Sequence, residues 1–290
     1  MTHKLKFAAL GLATLLPSAA LSQAMVLTGD IYTVDKDRSR AEAVAIDEDG
    51  MITAVGTKDE VLAAAGADAE VVDLGDRMVL PGFQDAHIHA IEAGVNATLC
   101  EFEQFDDLDG YRAAVKDCAE NGETGEWVLA SGVNMPNLQS LHPNPVEVLD
   151  EVVPDRPVLI LDDIGHGAWA NSAALAAAGY DTAEDAPNGN IILRGKDGKP
   201  TGIILENAPH KLRNLALPPT EDNLDFAYES LLAAAKELNE NGITTVSDAG
   251  GYWPQGHQQA WDRAEKDGTL TVRASNAFYI YPDRPLDEQL

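Results

Sequence analysis

The stretch Val79-Leu80-Pro81-Gly82-Phe83-Gln84-Asp85-Ala86-His87-Ile88-His89-Ala90 constrains this chain more than any other. Pro81-Gly82 breaks an apolar run, and a short strand follows that carries two histidines one residue apart. Side chains at i and i+2 of a strand share a face. His87 and His89 therefore reach one cation together, and Asp85 points the same way. Neutral imidazole is a common ligand of zinc and similar divalent ions, so the spacing predicts a metal half-site at a strand end. Asp85 either orients a histidine from behind or is a satisfied polar residue of the strand floor, and the sequence leaves both readings open.

Around this stretch the hydrophobic pattern sorts into a β-rich start and an alternating remainder. Residues 25–80 carry apolar runs at Val26-Leu27, Ile31–Val34, Ala43–Ile46 and Met51–Gly56, the last two joined by a turn ending in Asp49-Gly50, which predicts a hairpin. Lys58–Ala65 reads as a short helix and Val71–Leu74 as a returning strand. From residue 81 onward strands and helices alternate. Trp127–Gly132, Val158–Leu161, Ile243–Val246 and Thr271–Ile280 read as strands; Asp106–Glu120, Ala168–Ala178, Leu224–Asn239 and Trp261–Lys266 read as helices; Asn190–Leu193 and Thr201–Leu205 read as a hairpin. Alternation of this kind predicts parallel βα units in an α/β fold. With candidate functional groups at strand ends, the natural host is a TIM-type (β/α) barrel, preceded here by a small β-sandwich module. About five barrel strands are counted where closure needs eight, and the chain stops at Asp287-Glu288-Gln289-Leu290 just past a strand. The expectation is an incomplete barrel, the N-terminal portion of a longer protein.

Acids outnumber bases 48 to 20, a net charge of −28. Such a surface repels nucleic acid and anionic membrane and disfavours both as partners. His3, Lys4 and Lys6 precede an apolar run, Phe7–Leu16, too short to span a bilayer. Pro17 breaks it, and Ser22-Gln23-Ala24 gives a small-x-small pattern, so residues 1–24 read as a secretory signal peptide and the mature chain as periplasmic or secreted. Cys100 and Cys118 would meet an oxidising compartment, and sequence alone leaves their pairing open.

Three further residues stand at strand ends. Glu206 closes Gly202–Leu205, where a carboxylate needs a cation or donors. His166, in Asp162-Asp163-Ile164-Gly165-His166-Gly167, follows a predicted strand, the place where barrel loops carry function. Asp248 ends Gly242–Ser247 and either contacts a ligand or holds the loop after it. Asn171 and Ser172 read as capping residues and Asp162 and Asp163 as loop acids. His210 and His257 fall in apparent loops and are given no role. No P-loop, G-x-G-x-x-G, G-x-S-x-G or C-x-x-C pattern occurs, so nucleotide, nicotinamide, serine-hydrolase and redox functions have no support.

The segments Val79–Ala90, Gly165-His166 with Asn171-Ser172-Ala173-Ala174-Leu175, Pro200–Ala208 and Gly242–Asp248 together resemble amidohydrolase family 3, the YtcJ-like branch of the metal-dependent amidohydrolases. The resemblance implies hydrolysis of a C–N bond other than a peptide bond, in a small amide-type or N-formyl substrate. It implies a divalent metal, zinc by default and one or two ions, held by His87, His89 and Glu206. It implies catalytic roles for His166, beside the substrate carbonyl, and for Asp248. In the family the β-module is completed by the end of the chain, and further histidines and an aspartate arise from later strands. The chain as given is therefore expected to hold half a site and to be inactive or weak alone. The competing expectation is a non-catalytic exported remnant that binds metal or ligand. A different hydrolysis on the same scaffold, such as C–O cleavage, stays open.

Overall fold

The computed structural model describes residues 24–122, 125–182, 190–281 and 284–289. The segment read as a signal peptide lies outside them, save Ala24. Two compact units divide at Pro81/Gly82.

In the first unit β1 (Met25–Tyr32), β2 (Arg40–Ile46), β3 (Ile52–Gly56), α1 (Lys58–Ala65) and β4 (Glu70–Val79) follow in order. The sheet order is β3-β2-β1-β4, with β1 antiparallel to β2 and parallel to β4. Val61 of α1 packs on Val26, Ala43 and Ala45 to form the core.

The second unit opens with β5 (Phe83–Ile88), α2 (Ala90–Thr98), β6 (Cys100–Glu101) and α3 (Leu108–Asn121). Then come β7 (Val128–Val133), α4 (Met135–Leu141), α5 (Val146–Val152), β8 (Val158–Asp162), β9 (Gly167–Ala170) and α6 (Ser172–Ala177). The hairpin β10 (Asn190–Arg194) and β11 (Pro200–Glu206) leads into α7 (Ala208–Ala216), α8 (Glu221–Glu240), β12 (Ile243–Gly251), α9 (His257–Asp267) and β13 (Arg273–Phe278). Cys100 and Cys118 are joined in a disulfide, tying β6 to α3. Among the described residues no helix is long and apolar enough to cross a membrane.

The strands form two sheets rather than one arc. The β5 strand pairs in parallel with β12, and β12 with β13, so three strand ends stand side by side. The strands expected at Trp127–Gly132 and Val158–Leu161 do not join them. They lie in a six-stranded sheet of order β10-β11-β9-β8-β7-β6. Here only β6, β7 and β8 run parallel, while β8–β9, β9–β11 and β10–β11 are antiparallel. Loop length decides this. Asp163–His166 is far too short for a parallel crossover, which needs about a dozen residues, so β9 must fold straight back on β8. Among the described residues the barrel is open.

A helix was expected over Ala168–Ala178, but Ala168-Trp169-Ala170 is strand and the helix begins at Ser172. Trp169 is the reason. Its fully buried ring fills the core beside Tyr111, and its Nε1 donates to the Pro145 carbonyl at 3.1 Å. Asn171, 0% exposed, then caps α6 by accepting from Ala174 N at 2.9 Å. The same side chain accepts from Val158 N at 3.0 Å and donates to the Val153 and Arg156 carbonyls. It satisfies four backbone groups in a place water does not reach. The Pro81-Gly82 break also has a packing cause. A Cβ at Gly82 would overlap the Thr244 hydroxyl, so only glycine lets β5 approach β12 here.

Asn171→Ala strands those groups and should lower unfolding free energy by about 3 kcal/mol. Urea denaturation should show this as a lower midpoint with an unchanged slope.

Candidate functional site

The β5 strand delivers His87 and His89 as its spacing requires, with ring centroids 5.3 Å apart and planes at 73°. Asp85 does not touch either ring. Its carboxylate accepts the His87 backbone N–H at 3.0 Å, so it braces the strand end rather than an imidazole. His89 is held by two neighbours. Gly250 of β12 lies against Nδ1, and a Cβ there would overlap the ring. Glu92, one turn into α2, places Oε2 at 3.3 Å from the same nitrogen, within ion-pair range but outside hydrogen-bond geometry. The other Glu92 oxygen is engaged by Arg213 of α7.

Asp248 sits opposite Ile88 in the β5–β12 register and is 1% exposed. Its Oδ1 accepts Gly250 N–H at 2.8 Å. Burial pushes its carboxyl pKa up, and the Gly250 amide, nearby His89, and the Trp261 and Ala90 N–H groups pull it back. Through this bond Asp248 braces Gly250, the β12 residue that lies against His89.

His166 and Glu206 come together at the ends of β9 and β11. His166 Nδ1 lies 3.6 Å from Glu206 Oε2, with side chains 69% and 54% exposed. Glu206 N–H donates to the His166 carbonyl at 2.8 Å. Glu206 has φ +59°, the left-handed region that a non-glycine residue occupies only under constraint. Asp162, expected to be a plain loop acid, is nearly buried, with its carboxylate turned to the Gly165, His166 and Gly167 amides. It shapes the loop that presents His166.

The sequence-predicted residues thus form two pairs, His87 with His89 and His166 with Glu206. Among the described residues no three of His, Cys, Asp or Glu stand where one cation would reach them all. The donor set on β5 suits a divalent ion as a pair of imidazoles; a catalytic zinc takes three protein ligands.

Sequence reasoning missed His210 and His257. Neither is in a loop: His210 lies on α7 and His257 opens α9. Pro209 occupies the first turn of α7, where its missing N–H costs nothing. His210 clusters with Tyr252 and Tyr279, at ring distances of 5.0 and 4.8 Å, the two tyrosine rings lying 5.6 Å apart. Burial, with His89 nearby, lowers its pKa to about 4. His257 Nδ1 lies 3.1 Å from the Gly250 carbonyl. The available signals were the helical spacing of His210, Arg213 and Asn214 and the alternation of Tyr279 and Tyr281.

Burial and the nearby Arg213 hold the His257 imidazole down at about 4, against its ordinary 6.5. The unfolded chain therefore takes up this proton first as pH falls. The stability from a neutral His257 is complete above about pH 6.5 and is lost towards pH 4. Between pH 7 and 4.5 the native chain should lose on the order of 3 kcal/mol more than His257→Asn, read by urea denaturation at each pH.

An amidohydrolase family model matches residues 70–288. N-substituted formamide deformylase from Arthrobacter pascens is 34% identical over 229 residues, 78% of this chain and 42% of that protein. Protein LONG AFTER FAR-RED 3 from Arabidopsis thaliana is 31% identical over 239 residues, 82% of this chain and 40% of that protein. The putative amidohydrolase YtcJ from Bacillus subtilis is 30% identical over 217 residues, 74% and 40%. The chain spans less than half the length of each of these relatives. An uncharacterised metal-dependent hydrolase from Pyrococcus furiosus superposes with a TM-score of 0.63 at 21% identity, covering 88% of this chain and 50% of that one, a likeness of fold.

Proposed function

Because the chain belongs to the amidohydrolase family, we propose that it carries the metal-binding strand of an exported, metal-dependent hydrolase of C–N bonds other than peptide bonds. The substrate class is a small amide or N-formyl amine, the bond type named in the formamide deformylase relative. The observation that carries this reading is the His87–His89 pair at the end of β5, with His89 fixed by Gly250 and Glu92. The Glu92 carboxylate, at ion-pair range behind His89, raises the basicity of the ring as a ligand. Glu206, which here pairs with His166 rather than with the β5 histidines, is the carboxylate that the family resemblance offers to a completed metal set, and its constrained backbone supports a functional assignment. Histidine with carboxylate suits zinc first and other divalent ions next. The chemistry such an ion supplies is a bound water of lowered pKa and a polarised substrate carbonyl.

The chain's own residues have separable tasks. His87 and His89 bind. Glu92 and Gly250 orient His89. His166, on its Asp162-shaped loop, presents a ring nitrogen to the substrate carbonyl. Asp248, assigned a catalytic part on resemblance, acts by holding the Gly250 loop. The Cys100–Cys118 disulfide supports export to an oxidising compartment. The competing reading, a non-catalytic metal-binding module, draws on the lack of a three-ligand cluster among the described residues.

Plasma mass spectrometry of the purified chain should find near-stoichiometric divalent metal, lost in His87→Ala/His89→Ala. Gly250→Ala, which displaces His89 without deleting a ligand, should weaken metal affinity by about 10–100-fold. Equal and negligible metal in all three proteins would overturn the reading. Bound metal without turnover of any N-formyl or N-acyl amine in a substrate panel would favour the non-catalytic module.

A further inference from the structure

A cavity of about 560 Å³ opens beside the end of β13, within the range of small-molecule sites. One of its lining residues is Asn207, the residue after Glu206, whose side-chain oxygen accepts from the Tyr279 hydroxyl at 2.6 Å. Its wall is aromatic: Tyr279 and Tyr281 meet edge to face at 4.9 Å, and Trp253 meets Tyr281 at 5.8 Å. His210 completes that wall.

The charges of this cavity run against the rest of the chain. The molecule carries −28, yet among the described residues the charged groups lining the cavity are Lys211 and Arg284. Lys211 lies over the Tyr180 ring at 5.4 Å, and Arg284 over Trp253 at 5.0 Å and Tyr281 at 5.4 Å. Neither forms an ion pair with a carboxylate among the described residues. In a chain with more than two acids per base, two cations facing aromatic rings set this cavity apart.

We propose that this cavity is a subsite for a small aromatic carboxylate: the ring packs within the aromatic wall, and the carboxylate is held by Lys211 and Arg284. Aromatic stacking and charge-assisted hydrogen bonds are the interactions these groups offer. Only the statement that the occupant is part of a substrate rests on the hydrolase reading above; binding itself does not. On that reading, the subsite selects amides whose acyl or amine portion bears an aryl group with an acidic substituent.

The test is calorimetric titration of the purified chain with phenylacetate and with its neutral analogue phenylacetamide. Phenylacetate should bind at least about tenfold more tightly, the value of one charge-assisted contact. The preference should vanish in Lys211→Met/Arg284→Met, with the circular dichroism spectrum unchanged, and survive in Lys211→Arg. It should also survive in His87→Ala/His89→Ala, which separates this subsite from the metal proposal. If the double variant does not fold, Arg284→Gln alone should reduce the preference. Equal affinity for the two probes, a preference that outlasts removal of both cations, or no binding of either probe at millimolar concentration would overturn the proposal.

Discussion

Glu92 on α2 and Arg213 on α7 form an ion pair whose side chains are 15% and 7% exposed. The two helices belong to different cores. The α2 helix packs with α8 and β12 through Ile91, Val95, Leu231 and Val246, whereas α7 packs under the six-stranded sheet through Ala208, Leu212 and Ile204. Burying either charge alone would be expensive, and losing one partner of such a pair typically costs about 3–5 kcal/mol. The pair therefore holds the end of β5, where the histidines are, in place against the end of β11, where Glu206 is. Tyr252 lies 5.6 Å from the Arg213 guanidinium and closes the arrangement from the side of β12.

Much of the site geometry follows from that junction. The His89 ring has little freedom, because Gly250 meets one edge and Glu92 the nearby nitrogen. Gly250 is held by Asp248, which is held by burial. On the other side Asp162 bends the loop of His166 and β11 ends with Glu206 in a left-handed conformation. Acidic residues at strand ends thus divide into two kinds: those that brace backbone amides, Asp85, Asp162 and Asp248, and the exposed Glu206, whose carboxylate lies beside the His166 ring.

The α/β class, the hairpin of β10 and β11, the helix α1 and the strand carrying the two histidines were legible from the sequence, because each rests on local pattern. Strand partnership was not. Runs such as Val158–Leu161 look alike whether they join β5 or another sheet, and only the short Asp163–His166 connection distinguishes the outcomes. Trp169 hid a strand within an alanine-rich run that reads as helix. The His87–His89 pair was legible because a strand repeats every two residues. Glu92 and Arg213 were not, since their meaning depends on two helices far apart in sequence. Asp248 was visible as a strand-end acid, but its inward direction appears only once β12 lies beside β5.

The central claim is that the end of β5 is a metal half-site built on His87 and His89. X-ray absorption at the zinc edge, on the purified chain loaded with zinc, tests it most directly. The account predicts outer-shell scattering from imidazole rings bound to the metal, absent in His87→Ala/His89→Ala. A first shell of oxygen alone, or an imidazole signal that persists in the variant, would contradict it.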